Sequence, residues 1–148
     1  MVEQAAHCEL CESPGGEAVW QDPLCRVVRV ADPDYPGFCR VVWGRHVAEM
    51  TDLPAADRRH LLAVVFAVEA AVRMLYRPDK VNLASLGNLV PHLHWHVIPR
   101  FADDRHFPQP IWAKASRPSS PSRPRVETRR LHDVIVQALA EEQGGTAG

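Results

Sequence analysis

The sequence predicts an α+β fold, in which a five-stranded, mainly antiparallel sheet carries one long helix and a C-terminal helix. Three observations predict this fold. Short β-prone runs separated by turn residues fill residues 18–43, one long stretch has apolar residues at helical spacing, and further β-prone runs follow it. The length of 148 residues suits a single domain.

The N-terminal part of the chain predicts an antiparallel meander of three strands. Residues 18–21 and 25–30 flank the dipeptide Asp22-Pro23, which predicts a hairpin turn. Residues 32–37 hold two prolines and a glycine and predict a loop. Residues 38–43 predict the third strand.

The longest helix is predicted over residues 54–76. Pro54 suits the first turn of a helix, and Asp57 near that end complements the helix dipole. Apolar residues recur every three or four positions and form one stripe, which consists of Leu61, Val65, Val68, Val72 and Leu75. Pro78 ends the helix.

Two more strands and a short helix are predicted in the rest of the chain. Residues 80–86 and 89–100 predict the strands, and a Ser/Pro/Arg-rich stretch then predicts a linker or loop. A second apolar stripe, which predicts the C-terminal helix, consists of Leu131, Val134, Ile135 and Leu139. The predicted organisation is therefore a domain over 1–114, a linker over 115–126 and a helix over 127–143.

Composition and charge exclude two classes of partner. A formal net charge of -1 provides no global positive field for nucleic acid. No apolar run approaches the roughly 20 residues that cross a bilayer. The segment Met1–Gln4 lacks the basic-then-apolar pattern of a signal peptide. We therefore expect a cytoplasmic protein that binds neither membrane nor nucleic acid.

Three histidines alternate with apolar residues in the strand predicted over 89–100. His92, His94 and His96 would line one face of that strand, and the other face would hold Leu93, Trp95 and Val97. Surface histidines on an edge strand are the structural alternative. A single zinc held by all three is disfavoured, because the first and third start about 13 Å apart along a strand and zinc–nitrogen bonds are about 2.1 Å.

The pattern from His92 to Ile98 resembles that of the histidine triad family of nucleotide hydrolases and transferases. The resemblance spans roughly residues 8–112 and includes an early Cys-x-x-Cys, His46 after the third strand, and Pro99-Arg100 after the triad. It implies hydrolysis at the α-phosphate of a nucleotide, as in relatives that act on dinucleoside polyphosphates. Neutral imidazole is a nucleophile near neutral pH.

The resemblance also implies a role for each triad histidine. His94 would attack phosphorus and form a nucleotidyl-histidine, which water then cleaves. His96 would contact phosphate oxygens and assist the leaving group, and His92 would buttress the site. Transferase relatives can have glutamine at the third position, so His96 favours hydrolysis.

Three positions depart from the family pattern. Asn88 and Leu89 stand where relatives usually carry Gln-Ser or a close variant. Asn88 can still bind phosphate, but Leu89 cannot donate a proton, which favours cleavage of phosphate esters or anhydrides over phosphoramidates. Phe38 stands where many relatives have a histidine, and it would form an aromatic floor of the site.

Four residues suggest a structural zinc site. Cys8 and Cys11 have the spacing of half a site, and the resemblance implies that His46 and His92 complete it. His7 is an awkward alternative ligand, and two reduced cysteines in a loose turn are the alternative without metal. Such a Cys₂His₂ site has no open position for water.

The remaining contacts are implied by the resemblance alone. Asp32 would bind ribose hydroxyls, with Asp34 as its competitor and a turn-forming role as the alternative. Asn82 would make a further polar contact with the nucleotide. Arg100 would contact phosphate or form a structural ion pair. Relatives form homodimers, so we expect one here.

Two other functions remain open. The altered pair Asn88-Leu89 also fits a nucleotide-binding sensor without catalysis, which would bind a nucleoside monophosphate and form no adduct. The Cys-x-x-Cys and the Arg-rich tail also fit a zinc-stabilised interaction protein, whose partner binding would survive loss of the triad histidines.

Overall fold

A computed structural model describes residues 7–144, so the first six residues of the domain predicted over 1–114, including the Met1–Gln4 segment, lie outside the described residues. The five strands are β1 (Glu17–Gln21), β2 (Cys25–Arg29), β3 (Cys39–Trp43), β4 (Lys80–Ala84) and β5 (His94–Arg100). They form one sheet in the order β1-β2-β3-β5-β4, and all neighbouring strands are antiparallel. The predicted α+β fold is confirmed.

Within residues 7–144, three α-helices accompany the sheet: α1 (Glu9–Glu12), α2 (Ala55–Tyr76) and α3 (Thr128–Gly144). Helix α2 begins after Pro54, and Arg77 in a left-handed conformation ends it. Its apolar stripe packs on one face of the sheet, against buried side chains that alternate along β3. Helix α3 packs on α2 and on β1. No helix among residues 7–144 combines the length and apolarity needed to cross a membrane.

The face of the sheet opposite α2 carries the polar side chains of the inner strands. Arg40 of β3 pairs with His96 of β5, and Val42 pairs with His94. The next residues along each strand, such as Val41, belong to the core under α2. Strand periodicity therefore presents both strand histidines on the side that the long helix leaves free.

The strand predicted over 89–100 is too long, because β5 begins at His94. Gly87 has a φ of +80°, and Pro91 has no N–H for a sheet ladder. The N–H of Leu93 instead donates to the carbonyl of Val47, at 2.8 Å. His92 therefore precedes the strand and is fully buried.

Residues 115–126 contain no helix or strand, but hydrogen bonds tie them to the domain. The N–H of Ser120 donates to Asp34 at 3.0 Å, and its hydroxyl accepts from the N–H of Arg105 at 2.8 Å. The guanidinium of Arg123 lies over the ring of Phe101. The division at residues 114 and 126 stays a prediction, as does the homodimer.

Candidate functional site

His94 occupies the first position of β5 and is held in one tautomer. Its Nδ1 lies 2.5 Å from the carbonyl oxygen of His92. A carbonyl only accepts hydrogen bonds, so Nδ1 carries the proton and Nε2 keeps a free lone pair. A lone pair on Nε2 is the chemical requirement for a nucleophilic imidazole.

His96 lies beside His94 in an aromatic enclosure. The two imidazole centroids are 4.9 Å apart, and the rings of Phe38 and Trp112 meet the ring of His96 edge-on at 5.7 and 5.6 Å. Burial, together with repulsion from His94 and Arg40, lowers the pKa of His96 to about 4. His96 is therefore neutral at physiological pH, and its buried Nδ1 has no hydrogen-bond partner among the described residues.

A cavity of about 310 Å³ opens at the N-terminal end of β5. His92 and His94 line it, together with Met50 and Gly87 from the loops on either side. The hydroxyl of Ser85, which also lines it, donates to the carbonyl of His94 at 2.9 Å. His94 therefore lines a space that can admit a small ligand.

The four predicted zinc ligands converge at one point. Nδ1 of His92 lies 3.5 Å from Sγ of Cys8, 3.4 Å from Sγ of Cys11 and 3.3 Å from Nδ1 of His46. Tetrahedral zinc, with bonds of about 2.3 Å to sulfur and about 2.0–2.1 Å to nitrogen, places neighbouring ligand atoms about 3.3–3.8 Å apart. The donor set therefore fits a tetrahedral metal ion.

The backbone prepares His92 for this role. Its Nε2 lies 2.6 Å from the carbonyl oxygen of Trp43, so Nε2 donates and Nδ1 presents its lone pair to the cluster. Burial lowers the pKa of His92, which favours the neutral form that binds metal. Burial and the neighbouring Cys8 raise the pKa of the Cys11 thiol.

Two of the predicted substrate residues, Asp32 and Asn82, bond to other protein groups in this structure. The side chain of Asp32 accepts from the N–H of Asp34 at 2.9 Å and lines a separate cavity of about 440 Å³ that has no triad residue in its wall. Asn82 accepts from Nη1 of Arg100 at 2.8 Å. Asn88 is exposed in the loop before the triad.

The structure adds a buried polar network that the sequence did not reveal. Arg100 forms an ion pair with Asp104 through two nitrogens, at 2.8 and 3.1 Å. Of the two roles predicted for Arg100, a phosphate contact or a structural ion pair, the structure shows the ion pair. The hydroxyl of Tyr35 bonds to Asp104 and to His106. This network fixes residues 101–112, the segment that carries Trp112 to His96. The only feature of the sequence that could have indicated this network is the spacing of four residues between Arg100 and Asp104.

The comparisons with known proteins agree with the family resemblance and with the fold. The family model for the HIT domain matches residues 14–103. A protein of Mycobacterium tuberculosis named AP-4-A phosphorylase is 32% identical over 81 residues, which are 51% of this chain and 42% of that protein. The chain thus spans less than half the length of this curated relative.

Solved structures give the same fold over nearly the whole chain. A histidine triad protein from Marinobacter aquaeolei VT8 is 27% identical, with a TM-score of 0.71 over 90% of this chain and 97% of that one. A Zn-bound histidine triad family protein from Mycobacterium smegmatis is 20% identical, with a TM-score of 0.58 over 94% and 97%. The family model matches more than half of the residues of this chain, and the chain therefore belongs to the HIT domain family.

Proposed function

We propose that the protein is a nucleotide hydrolase that cleaves at the α-phosphate of a nucleoside phosphoanhydride, with His94 as the nucleophile. The observation that carries this proposal is the hydrogen bond from Nδ1 of His94 to the carbonyl of His92, which leaves the Nε2 lone pair free. His94 is also one of the residues that line the cavity of about 310 Å³. The name of the M. tuberculosis relatives supports a dinucleoside polyphosphate as the substrate.

The reaction takes two displacements at one phosphorus. The lone pair of His94 Nε2 forms a P–N bond while the bond from phosphorus to the bridging oxygen breaks, and the electron pair leaves with that oxygen. Water then attacks the same phosphorus and the P–N bond breaks. The products are a nucleoside monophosphate, the departed nucleotide, the regenerated imidazole and a proton released to solvent.

His96 and Leu89 determine which leaving groups the site can release, because neither is suited to supply a proton to one. Neutral His96 has one N–H to donate to a phosphate oxygen, but a pKa of about 4 makes it a poor reservoir of an additional proton. Leu89 is 97% exposed and has no hydroxyl. A phosphoanhydride leaves as a stable anion, whereas an amine needs a proton, so the chain is suited to anhydrides.

Inorganic phosphate is a second candidate for the group that accepts the nucleotide from His94, and the names of two relatives favour it. Relatives named as phosphorylases point to inorganic phosphate in place of water in the second displacement. Phosphate oxygen would then attack the nucleotidyl-histidine, and the product would be a nucleoside diphosphate.

Product analysis tests these proposals. Incubation of the purified protein with diadenosine tetraphosphate, with and without inorganic phosphate, should yield AMP and ATP in both cases. If ADP and ATP form, and form only when phosphate is present, the reaction is phosphorolysis and the hydrolase proposal is wrong. Binding of AMP without turnover of any dinucleotide would identify a non-catalytic sensor and overturn the hydrolase.

We also propose that Cys8, Cys11, His46 and His92 hold a structural zinc ion. The donor-atom distances support it, and the Zn-bound M. smegmatis protein shares this fold. The ion would supply a cross-link between the α1 segment and the residues that precede β5. With four protein ligands it would leave no position for a water nucleophile.

Dialysed wild-type protein is expected to retain about one zinc per chain, measured by elemental mass spectrometry. Cys11→Ser should lower the zinc content and the thermal unfolding midpoint, because it removes one of the four proposed zinc ligands and with it the cross-link between the α1 segment and the residues before β5. Cys39→Ser is the matched control, since Cys39 is buried in the sheet core and belongs to neither cluster of possible metal ligands among the described residues. Folded wild-type protein without zinc would contradict the proposal.

A further inference from the structure

A second cluster of side chains able to bind metal lies on the face of the sheet that α2 covers, opposite the triad. It consists of Asp22, Cys25 and His60, whose donor atoms all lie within 4.8 Å of one another. Asp22 belongs to the turn between β1 and β2, Cys25 begins β2, and His60 lies in the second turn of α2. This second cluster shares no residue with the four predicted zinc ligands or with the triad.

The backbone holds the carboxylate of Asp22 in place. Oδ1 of Asp22 accepts from the N–H of Leu24 and from the N–H of Cys25, both at 2.8 Å. Burial alone would raise the pKa of Asp22, but these two hydrogen bonds and the one from His60 lower it. Asp22 is therefore an anion at neutral pH. A carboxylate that is fixed by hydrogen bonds through one oxygen, with the other oxygen left for a cation, is typical of metal ligands.

His60 and Cys25 complete a donor set of nitrogen, sulfur and oxygen. Nε2 of His60 donates to Oδ2 of Asp22 at 2.6 Å. Burial and the charge of Asp22 raise the pKa of the Cys25 thiol, so this thiol is protonated in the metal-free protein. The carboxylate therefore has two protonated groups as neighbours, and a metal ion can replace both protons.

The exposure of the three side chains gives an ion a way in. Those of Asp22 and His60 are 20% and 21% exposed, whereas Cys25 is buried in the core. An ion would enter between the carboxylate and the imidazole and reach the sulfur last. Tetrahedral zinc places oxygen and nitrogen ligands about 3.3 Å apart, so the gap between Asp22 and His60 has to widen by about 0.7 Å. A cluster that must rearrange and release protons binds metal more weakly than one whose donors already stand at ligand spacing.

We propose that Asp22, Cys25 and His60 form a second, exchangeable zinc site that cross-links the β1–β2 turn to α2. When the ion binds, the Cys25 thiol loses its proton to solvent as the bond from sulfur to the metal forms, and Nε2 of His60 likewise exchanges its proton for the metal. Nitrogen, sulfur and carboxylate oxygen suit zinc, whereas magnesium prefers oxygen ligands alone. The inference does not depend on a nucleotide at His94.

Calorimetric titration of dialysed wild-type protein with ZnCl₂ tests the second site. The protein should bind one ion per chain beyond the zinc that dialysis leaves, and MgCl₂ should give no binding. Asp22→Asn keeps the oxygen that accepts from the turn but loses the oxygen that would bind the ion, so its zinc affinity should fall at least about tenfold. Asp57→Asn is the matched control, since Asp57 begins the same helix, pairs with Arg45 at 3.8 Å and is in neither cluster of the described residues.

Two further variants separate this site from the four predicted zinc ligands. Cys25→Ser should weaken the exchangeable binding at least about tenfold, and Cys11→Ser should leave it unchanged. Added zinc should also raise the unfolding midpoint of wild-type protein and of Asp57→Asn but not that of Asp22→Asn, because a ligand stabilises only the state that binds it.

Several results would overturn the second site. One is a wild type that binds no zinc beyond what dialysis leaves, a result that does not affect the proposed hydrolase. Another is zinc binding that Cys11→Ser loses and Asp22→Asn retains, because that ion belongs to the four predicted ligands alone. Magnesium binding of similar affinity, or an equal loss in Asp57→Asn, would assign the binding to surface carboxylates instead.

Discussion

His94→Ala is expected to lower the turnover of a dinucleoside polyphosphate by about 10⁴-fold or more while the protein stays folded. Removal of the imidazole removes the only atom proposed to bond to phosphorus, and the first displacement then has no nucleophile. His94 is 7% exposed and its ring accounts for one hydrogen bond, so the loss to folding should be small by comparison. Steady-state kinetics and the unfolding midpoint measure the two effects.

The covalent step gives an independent readout of the same variant. Wild-type protein mixed with substrate and quenched in alkali, which preserves P–N bonds, should show one nucleotidyl group on the peptide that contains His94. The variant should show none. His132→Ala, on the exposed side of α3, is the control and should behave as wild type. Substantial activity of His94→Ala at equal purity would assign the nucleophile elsewhere.

Asp104→Ala is expected to destabilise the fold by about 3–5 kcal/mol. Asp104 and Arg100 are both almost fully buried, and the carboxylate also accepts from the N–H groups of Phe101, His106 and Phe107. Its removal leaves a buried guanidinium without its anion. Urea unfolding measures the free-energy difference, and Trp112 should also lose its fixed place beside His96.

The neighbouring residue provides the control. Asp103 pairs with Arg123 at the surface, where its side chain is 61% exposed, so Asp103→Ala should cost less than about 1 kcal/mol. Similar losses from both variants would show that the buried network does not stabilise the loop.

The buried pair also predicts an acid limit of stability. Burial alone would raise the pKa of Asp104, but hydrogen bonds from Arg100 and the backbone lower it to about 2, below the ordinary 3.8. The unfolded chain therefore binds this proton first, so the stabilisation is complete above pH 3.8 and is lost as the pH falls towards 2. Asp104→Ala should lack this part of the pH dependence.

Local patterns predicted the elements of the fold and the two cysteines of the Cys/His cluster. Alternation of apolar and polar residues placed β2, β3 and most of β5, and the apolar stripe placed α2 almost to the residue. The start of β5 was wrong because Pro91 and the contact of Leu93 with Val47 end the extended run. The convergence of Cys11 with His46 followed from the family resemblance rather than from spacing.

Contacts between distant segments were beyond the reach of sequence patterns. Tyr35 meets Asp104 across 69 positions, and nothing local in either segment encodes that meeting. Packing in three dimensions decides such contacts.

Position 92 combines two tasks that depend on different chemical groups. Its imidazole faces the sulfur atoms of the Cys-x-x-Cys, whereas its peptide oxygen sets the tautomer of the nucleophile. Every amino acid has that peptide oxygen. Evolution can therefore exchange the side chain at this site, and lose the proposed metal site with it, while the hydrogen bond that fixes the tautomer of the neighbouring imidazole is inherited unchanged.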